Sequence, residues 1–83
     1  MKIYKTVTGR VNLIQEQRFR LILDDGRSFL FTLGHNASMD AGALETVKRK
    51  HQRVRVAFTG EPDQASGVAR TIQPIDSLMR IKT

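Results

Sequence analysis

Hydrophobic and polar residues alternate along two short segments that flank Asp24-Asp25-Gly26. The apolar residues of these segments occupy every second position: Phe19, Leu21, Leu23, Phe29, Phe31 and Leu33. Alternation with period two is typical of strands that bury one face. Asp-Gly favours a tight hairpin turn, because glycine adopts positive φ without steric cost. The pattern therefore predicts a β-hairpin whose phenylalanines and leucines point into a core.

A first strand is predicted over residues 5–15, where apolar and polar residues again alternate. The positions expected to face inward are Val7, Gly9, Val11 and Leu13. A glycine inside a strand suggests a bend, at which a long strand passes from one half of a barrel to the other. A polar turn at residues 15–17 then leads into the hairpin.

After the hairpin, residues 34–37 interrupt the strand pattern, and a helix is predicted to follow. Ser38 is expected to cap this helix, which starts at residues 39–40, and Leu44 and Val47 share its apolar face. The basic residues of its last turn, which complement the helix dipole, are Lys48, Arg49 and Lys50.

Two more strands are predicted on either side of a loop rich in turn-forming residues, 59–67. Residues 53–58 alternate again, with the apolar side chains expected inside and Arg53 and Arg55 outside. Residues 68–72 form the last predicted strand, and the proline at position 74 ends it.

The predicted order is three strands, one helix and two strands. This is the order of the OB-fold, an all-β, five-stranded Greek-key barrel with one helix between strands 3 and 4. An SH3-like barrel is the main alternative, but it is not expected to carry a helix of this length here. Residues 1–83 are therefore predicted to form one OB-fold domain. Its barrel core covers about residues 5–75, and residues 76–83 form a C-terminal tail.

Within this fold, the sequence resembles the cold-shock-type domains. The matching segments are Gly9-Arg10-Val11, Arg18 to Ile22, Asp25-Gly26, Phe29 to Leu33 and Gln52-Arg53-Val54. They correspond to the family motifs Gly-x-Val, Lys-Gly-Phe-Gly-Phe-Ile, Asp-Gly, Val-Phe-Val-His-Phe and Gly-Gln-Arg-Val. The resemblance covers residues 9–75 in outline and implies an OB barrel. Most of the family's stacking aromatics are replaced here, by Leu13, Leu21, Leu30 and Thr32.

The two patterns disagree about Phe19, the one residue that matches an aromatic binding position of the family. A cold-shock alignment turns Phe19 outward, whereas the alternation buries it and leaves Arg18 and Arg20 outside. Burying two unpaired arginines is prohibitively costly. We therefore predict that Phe19 lies in the core, with the outward register as the alternative.

Charge and composition narrow the range of partners. Fourteen Lys and Arg against eight Asp and Glu give a net charge of +6, which attracts polyanions but is also ordinary for solubility. The chain has no cysteine, which excludes disulfides and thiol chemistry. The N-terminal residues lack the apolar run of a signal peptide, and no segment matches the ~20 apolar residues that span a bilayer. A soluble cytoplasmic protein without a membrane partner is expected.

The outer face of strands 2 and 3 is where OB-folds usually bind oligonucleotides. The arginines predicted to contact phosphates there, at the hairpin turn and on strand 4 are Arg18, Arg20, Arg27, Arg53 and Arg55. Arginine binds phosphate bidentately and stacks on bases, so the predicted partner is single-stranded DNA or RNA. A solvated strand face is the plain alternative, and Glu61 and Asp63 would repel phosphate.

A protein partner is the competing prediction, bound by a sheet edge or by the apolar pair Ile22 and Leu30. A barrel that holds a small ligand is a third possibility. The turn explains the adjacent aspartates at 24–25, and His35 and His51 have no metal-ligand spacing around them. We therefore expect a binding module without enzymatic activity, metal or cofactor.

Overall fold

Five strands close into a barrel in the computed structural model, which describes residues 4–64 and 67–75. The elements in chain order are β1 (Lys5–Gln15), β2 (Arg18–Leu23), β3 (Ser28–Leu33), α1 (Ala41–Arg49), β4 (Arg53–Thr59) and β5 (Val68–Pro74). Around the barrel the order is β1-β2-β3-β5-β4, and only the β3–β5 pairing is parallel within the described ranges. This confirms the predicted five-stranded barrel with one helix between the third and fourth strands. The strand order is compatible with an OB-fold.

The described ranges leave out the predicted tail at residues 76–83 and two residues, 65–66, of the loop before β5. Helix α1 is nine residues long, and no helix within residues 4–64 and 67–75 has the length and apolar character needed to cross a membrane.

The alternation in the hairpin is confirmed, and it decides the register of β2. Phe19 and Leu21 are completely buried, while Arg18 and Arg20 are exposed. The ring centroids of Phe19 and Phe31 lie 5.6 Å apart, within the range of favourable aromatic pairs. The remaining buried apolar residues come from every strand and the helix: Val11, Leu23, Leu33, Leu44, Val47, Val54, Val56, Phe58, Ala69 and Ile72.

Strand β1 departs from the predicted pattern in its second half. The pairing with β2 shifts between Val11 and Leu13, which is a β-bulge. One extra residue reverses the inward and outward positions that follow it. Leu13, predicted to be inward, is therefore 38% exposed, and Ile14 packs against the core instead.

Gly9 lies where β1 is hydrogen-bonded to both neighbours, opposite Leu23 of β2 and Val54 of β4. A β-carbon built on Gly9 would lie 2.1 Å from the backbone oxygen of Ile22. Only glycine permits this approach of two backbones. The site agrees with the predicted passage of β1 between the two halves of the barrel.

The predicted helix cap is wrong by two residues. Asp40 is the N-cap, and its carboxylate accepts a hydrogen bond from the Ala43 backbone N–H at 2.9 Å. The Ser38 hydroxyl instead accepts from the Ile72 N–H and donates to the Ile72 carbonyl, at 2.8 and 2.9 Å. Ser38 thus pairs with the edge of β5, because a distant partner outweighs its local preference for capping.

Candidate nucleic-acid interface

Arg18 and Arg20 lie side by side on the outer face of β2. They pair across the sheet with Thr32 and Leu30 of β3, whose side chains share the same face. Same-face neighbours on a strand are about 6.8 Å apart along the backbone. Within the described residues neither arginine has a carboxylate within ion-pair distance. The outer face therefore presents two adjacent positive charges to solvent.

The bulge in β1 surrounds Arg20 with aliphatic side chains. Leu13 lies opposite Arg20 on one side and Leu30 on the other, and Ile22 follows on the same face of β2. Leu30 and Ile22 are half-buried, and Leu13 is more exposed than either. The sequence predicted that Leu13 faces inward, because the alternation of apolar and polar residues does not reveal a β-bulge.

The side chain of Arg27 interacts with neighbouring residues of the β2–β3 hairpin. Its Nε donates to Asp25 Oδ2 at 2.8 Å, and its guanidinium lies 5.4 Å from the centroid of the Phe29 ring. The Arg27 backbone N–H also donates to Asp25. This backbone hydrogen bond, aided by the Arg27 side chain, holds the pKa of Asp25 below its ordinary value. The charge of Arg27 is thus largely compensated within the turn.

Arg53 and Arg55 occupy successive outer positions of β4 but differ in their partners. Arg53 forms a two-pronged ion pair with Asp24 of the β2–β3 hairpin, and the Nε–Oδ1 distance is 3.3 Å. The hydrogen bonds to Asp24 raise the pKa of the Arg53 guanidinium. Arg55 is exposed, lies opposite Thr8 and Gln73, and has no ion-pair partner among residues 4–64 and 67–75.

Arg10 is a further outward-facing arginine close to Arg53, and the sequence did not predict it as part of the site. It lies on β1 directly opposite Ile22 of β2 and Arg53 of β4. Its Nε donates to the His51 carbonyl at 3.0 Å, just beyond the end of α1. The polar parity of β1 correctly predicts that Arg10 faces outward, but only the register with both neighbours places it among the other arginines.

The loop between β4 and β5 covers the free side of β3. The Asp63 N–H donates to the Leu30 carbonyl, and the Asp63 carboxylate accepts from the Leu30 N–H, both at 2.7 Å. This contact satisfies backbone groups of β3 that β5 does not reach. It also places the negative charge of Asp63 at the β3 side of the outer face.

The comparisons with known proteins add no family to these observations. No family model, curated protein or solved structure matches the chain significantly. In the part of the chain that the structure describes, no three His, Asp or Glu side chains are grouped to hold a metal ion.

Proposed function

We propose that this domain is a non-catalytic binding module that binds single-stranded DNA or RNA through the outer face of β2 and β3. The observation that carries the proposal is the pair Arg18 and Arg20, exposed, adjacent and without carboxylate partners in the described residues. Guanidinium groups bind phosphate bidentately and stack on bases. Arg27 and Arg53 contribute less, because Asp25 and Asp24 already compensate them.

The proposed binding relies on phosphates more than on bases. The exposed large apolar side chains among the described residues are Tyr4 and Leu13, and Tyr4 precedes β1 at the end away from Arg20. Stacked aromatics contribute about 1–3 kcal/mol for each base in proteins that have them. We infer that this domain is distantly related to the cold-shock-type OB domains. Because Phe19 is buried here, it is not available to stack on a base. Little sequence preference is expected, and DNA and RNA should bind similarly.

Fluorescence anisotropy with labelled 12-nucleotide oligo-dT and oligo-U, measured over a salt series, tests this function. We expect binding that weakens linearly in log salt, with a slope of about −0.7 for each phosphate contacted. The Arg18→Ala/Arg20→Ala variant should lose about 1.4 of this slope. The control Lys48→Ala/Arg49→Ala removes the same charge from α1 and should change the slope much less. Absence of wild-type binding at low salt refutes the proposal.

A protein partner is the second candidate, and the exposure of Leu13 favours it. Leu13 enlarges the apolar pair of Ile22 and Leu30 around Arg20. A sheet edge is less suitable as a docking surface, because Asp63 occupies the side of β3. If the partner is a second copy of this chain, sedimentation equilibrium will detect dimers, and Leu13→Ser will dissociate them.

A further inference from the structure

The outward arginines of three neighbouring strands lie on one diagonal across the barrel. Arg18 and Arg20 follow each other on β2, and Ile22, the next outer residue, lies opposite Arg10 of β1. Arg10 in turn lies opposite Arg53 of β4. We call this series, which ends at Arg55, the arginine track: Arg18, Arg20, Arg10, Arg53 and Arg55.

The spacing along the arginine track follows from the geometry of sheets. Strands lie about 4.8 Å apart, and same-face residues of one strand are about 6.8 Å apart. The diagonal from Arg20 to Arg10 is then about 8 Å, and the whole track from Arg18 to Arg55 is roughly 27 Å along the backbone. A single strand of about four to five nucleotides covers such a distance, which matches the shorter sites of OB-folds.

The charges around the outer face favour this direction over the opposite one. On the β3 side, the loop before β5 places the carboxylate of Asp63 against the backbone N–H of Leu30. On the β1 side, Arg10 and Arg55 have no carboxylate within ion-pair distance in the described residues. On this side the Asp24 carboxylate is already paired with Arg53. A polyanion that contacts Arg18 and Arg20 is therefore repelled on the β3 side and attracted on the β1 side.

Arg10 is held in place before any ligand binds. Its Nε–H donates to the His51 carbonyl, which uses one of the five N–H donors of the guanidinium. The other donors have no partner among the described residues. Fixing the side chain in advance lowers the entropy lost when a phosphate is bound.

We infer that a bound single strand leaves the β2–β3 face over β1 and runs along the arginine track to β4, with Arg10 as the connecting phosphate contact. This inference rests on the proposed function and adds the path and length of the ligand. Arg53 lies on the track between Arg10 and Arg55, but Asp24 compensates its charge, so Arg10 and Arg55 supply the available guanidinium groups there.

Anisotropy titrations of oligo-dT from three to twelve nucleotides test the path. Wild-type affinity should rise steeply up to about five nucleotides and then level off. Arg10→Ala and Arg55→Ala should each reduce the salt slope by about 0.7 and flatten the gain beyond three nucleotides. Arg10→Lys should keep the slope, since it keeps the charge. Thermal melting of each variant shows whether the barrel remains folded.

The outcomes separate the path from the function itself. The track would be overturned if Arg10→Ala and Arg55→Ala both kept the wild-type length and salt dependence. The proposed function would still stand if Arg18→Ala/Arg20→Ala reduced the salt slope as expected. If the wild-type chain binds no oligonucleotide at low salt, the proposed function fails and the track fails with it.

Discussion

Arg10 and Arg53 face each other directly across β1 and β4, and each is held by an acceptor outside that pair of strands. Arg10 binds the His51 carbonyl, and Arg53 binds the Asp24 carboxylate. Like charges directly opposite each other destabilise a pair of strands. The Asp24 carboxylate compensates Arg53 and so reduces this repulsion, and a polyanion bound at Arg10 would reduce it further.

Removing the Asp24 charge should strengthen nucleic-acid binding. Asp24→Asn releases Arg53 for contact with phosphate, so the salt slope for oligo-dT should become steeper by about 0.7. Glu45→Gln is the matched control, because it raises the net charge equally but lies on an exposed position of α1. An equal effect of the two variants would mean that only the overall charge matters.

Gly9→Ala should destabilise the barrel severely. The new β-carbon would lie 2.1 Å from the Ile22 carbonyl oxygen, and backbone cannot move aside as a side chain can. We expect a loss of about 3 kcal/mol or more in the free energy of unfolding, measured by urea denaturation. Gly42→Ala is the control, since its β-carbon meets nothing closer than Asp40 Oδ1 at 3.5 Å. In the helix this change should stabilise, by up to about 1 kcal/mol.

His51→Gly should stabilise the protein. His51 follows the C-cap of α1 with φ of +54°, and its N–H donates to the Lys48 carbonyl while the Gln52 N–H donates to the Val47 carbonyl. This is the Schellman motif, in which glycine is preferred at the position of His51. The gain should be about 1 kcal/mol in urea denaturation.

Lys50→Gly is the control for this position, because Lys50 has a φ of −86° and gains nothing from glycine. It should lower the free energy of unfolding. Equal effects of the two glycines would contradict the assignment of the left-handed residue.

Asp25 should contribute a small pH-dependent stabilisation. The Arg27 backbone N–H lowers the pKa of Asp25 in the folded state, so the stabilisation is fully present above the ordinary pKa that Asp25 has in the unfolded chain. It is lost as the pH falls through the lower, folded pKa. An NMR titration of the carboxyl carbon should show the depressed pKa, and Asp25→Asn should lose its stability difference from wild type at low pH. A titration at or above the ordinary value would contradict the turn geometry.

The parts of the fold that depend on local pattern were accessible from the sequence. Phe19 and Arg20 were placed on opposite faces by alternation and by the cost of burying a charge. The same reasoning predicted Leu44 and Val47 as the buried face of α1, and the structure confirms it. These residues are decided by their immediate neighbours in the chain.

The parts that depend on distant partners were not accessible. Leu13 is turned outward by a bulge whose position is fixed by pairing with β2. Serine is a preferred helix N-cap, yet the Ser38 hydroxyl hydrogen-bonds to the backbone of Ile72, 34 residues away in the chain. Arg10 joins the arginine track only because β1 pairs with β2 and β4 at the same point. The register between strands depends on contacts between residues far apart in the chain, so the local sequence pattern does not predict it.

The most direct test of the proposed interface is a two-dimensional ¹H–¹⁵N NMR titration with unlabelled hexameric oligo-dT at low salt. We predict that the largest amide shift changes cluster on the outer positions of β2 and β1, around Arg18, Arg20 and Arg10. Amides of α1, including Glu45, should change little. Changes confined to α1 or to the loop before β5, or no changes with excess oligonucleotide, would contradict the account.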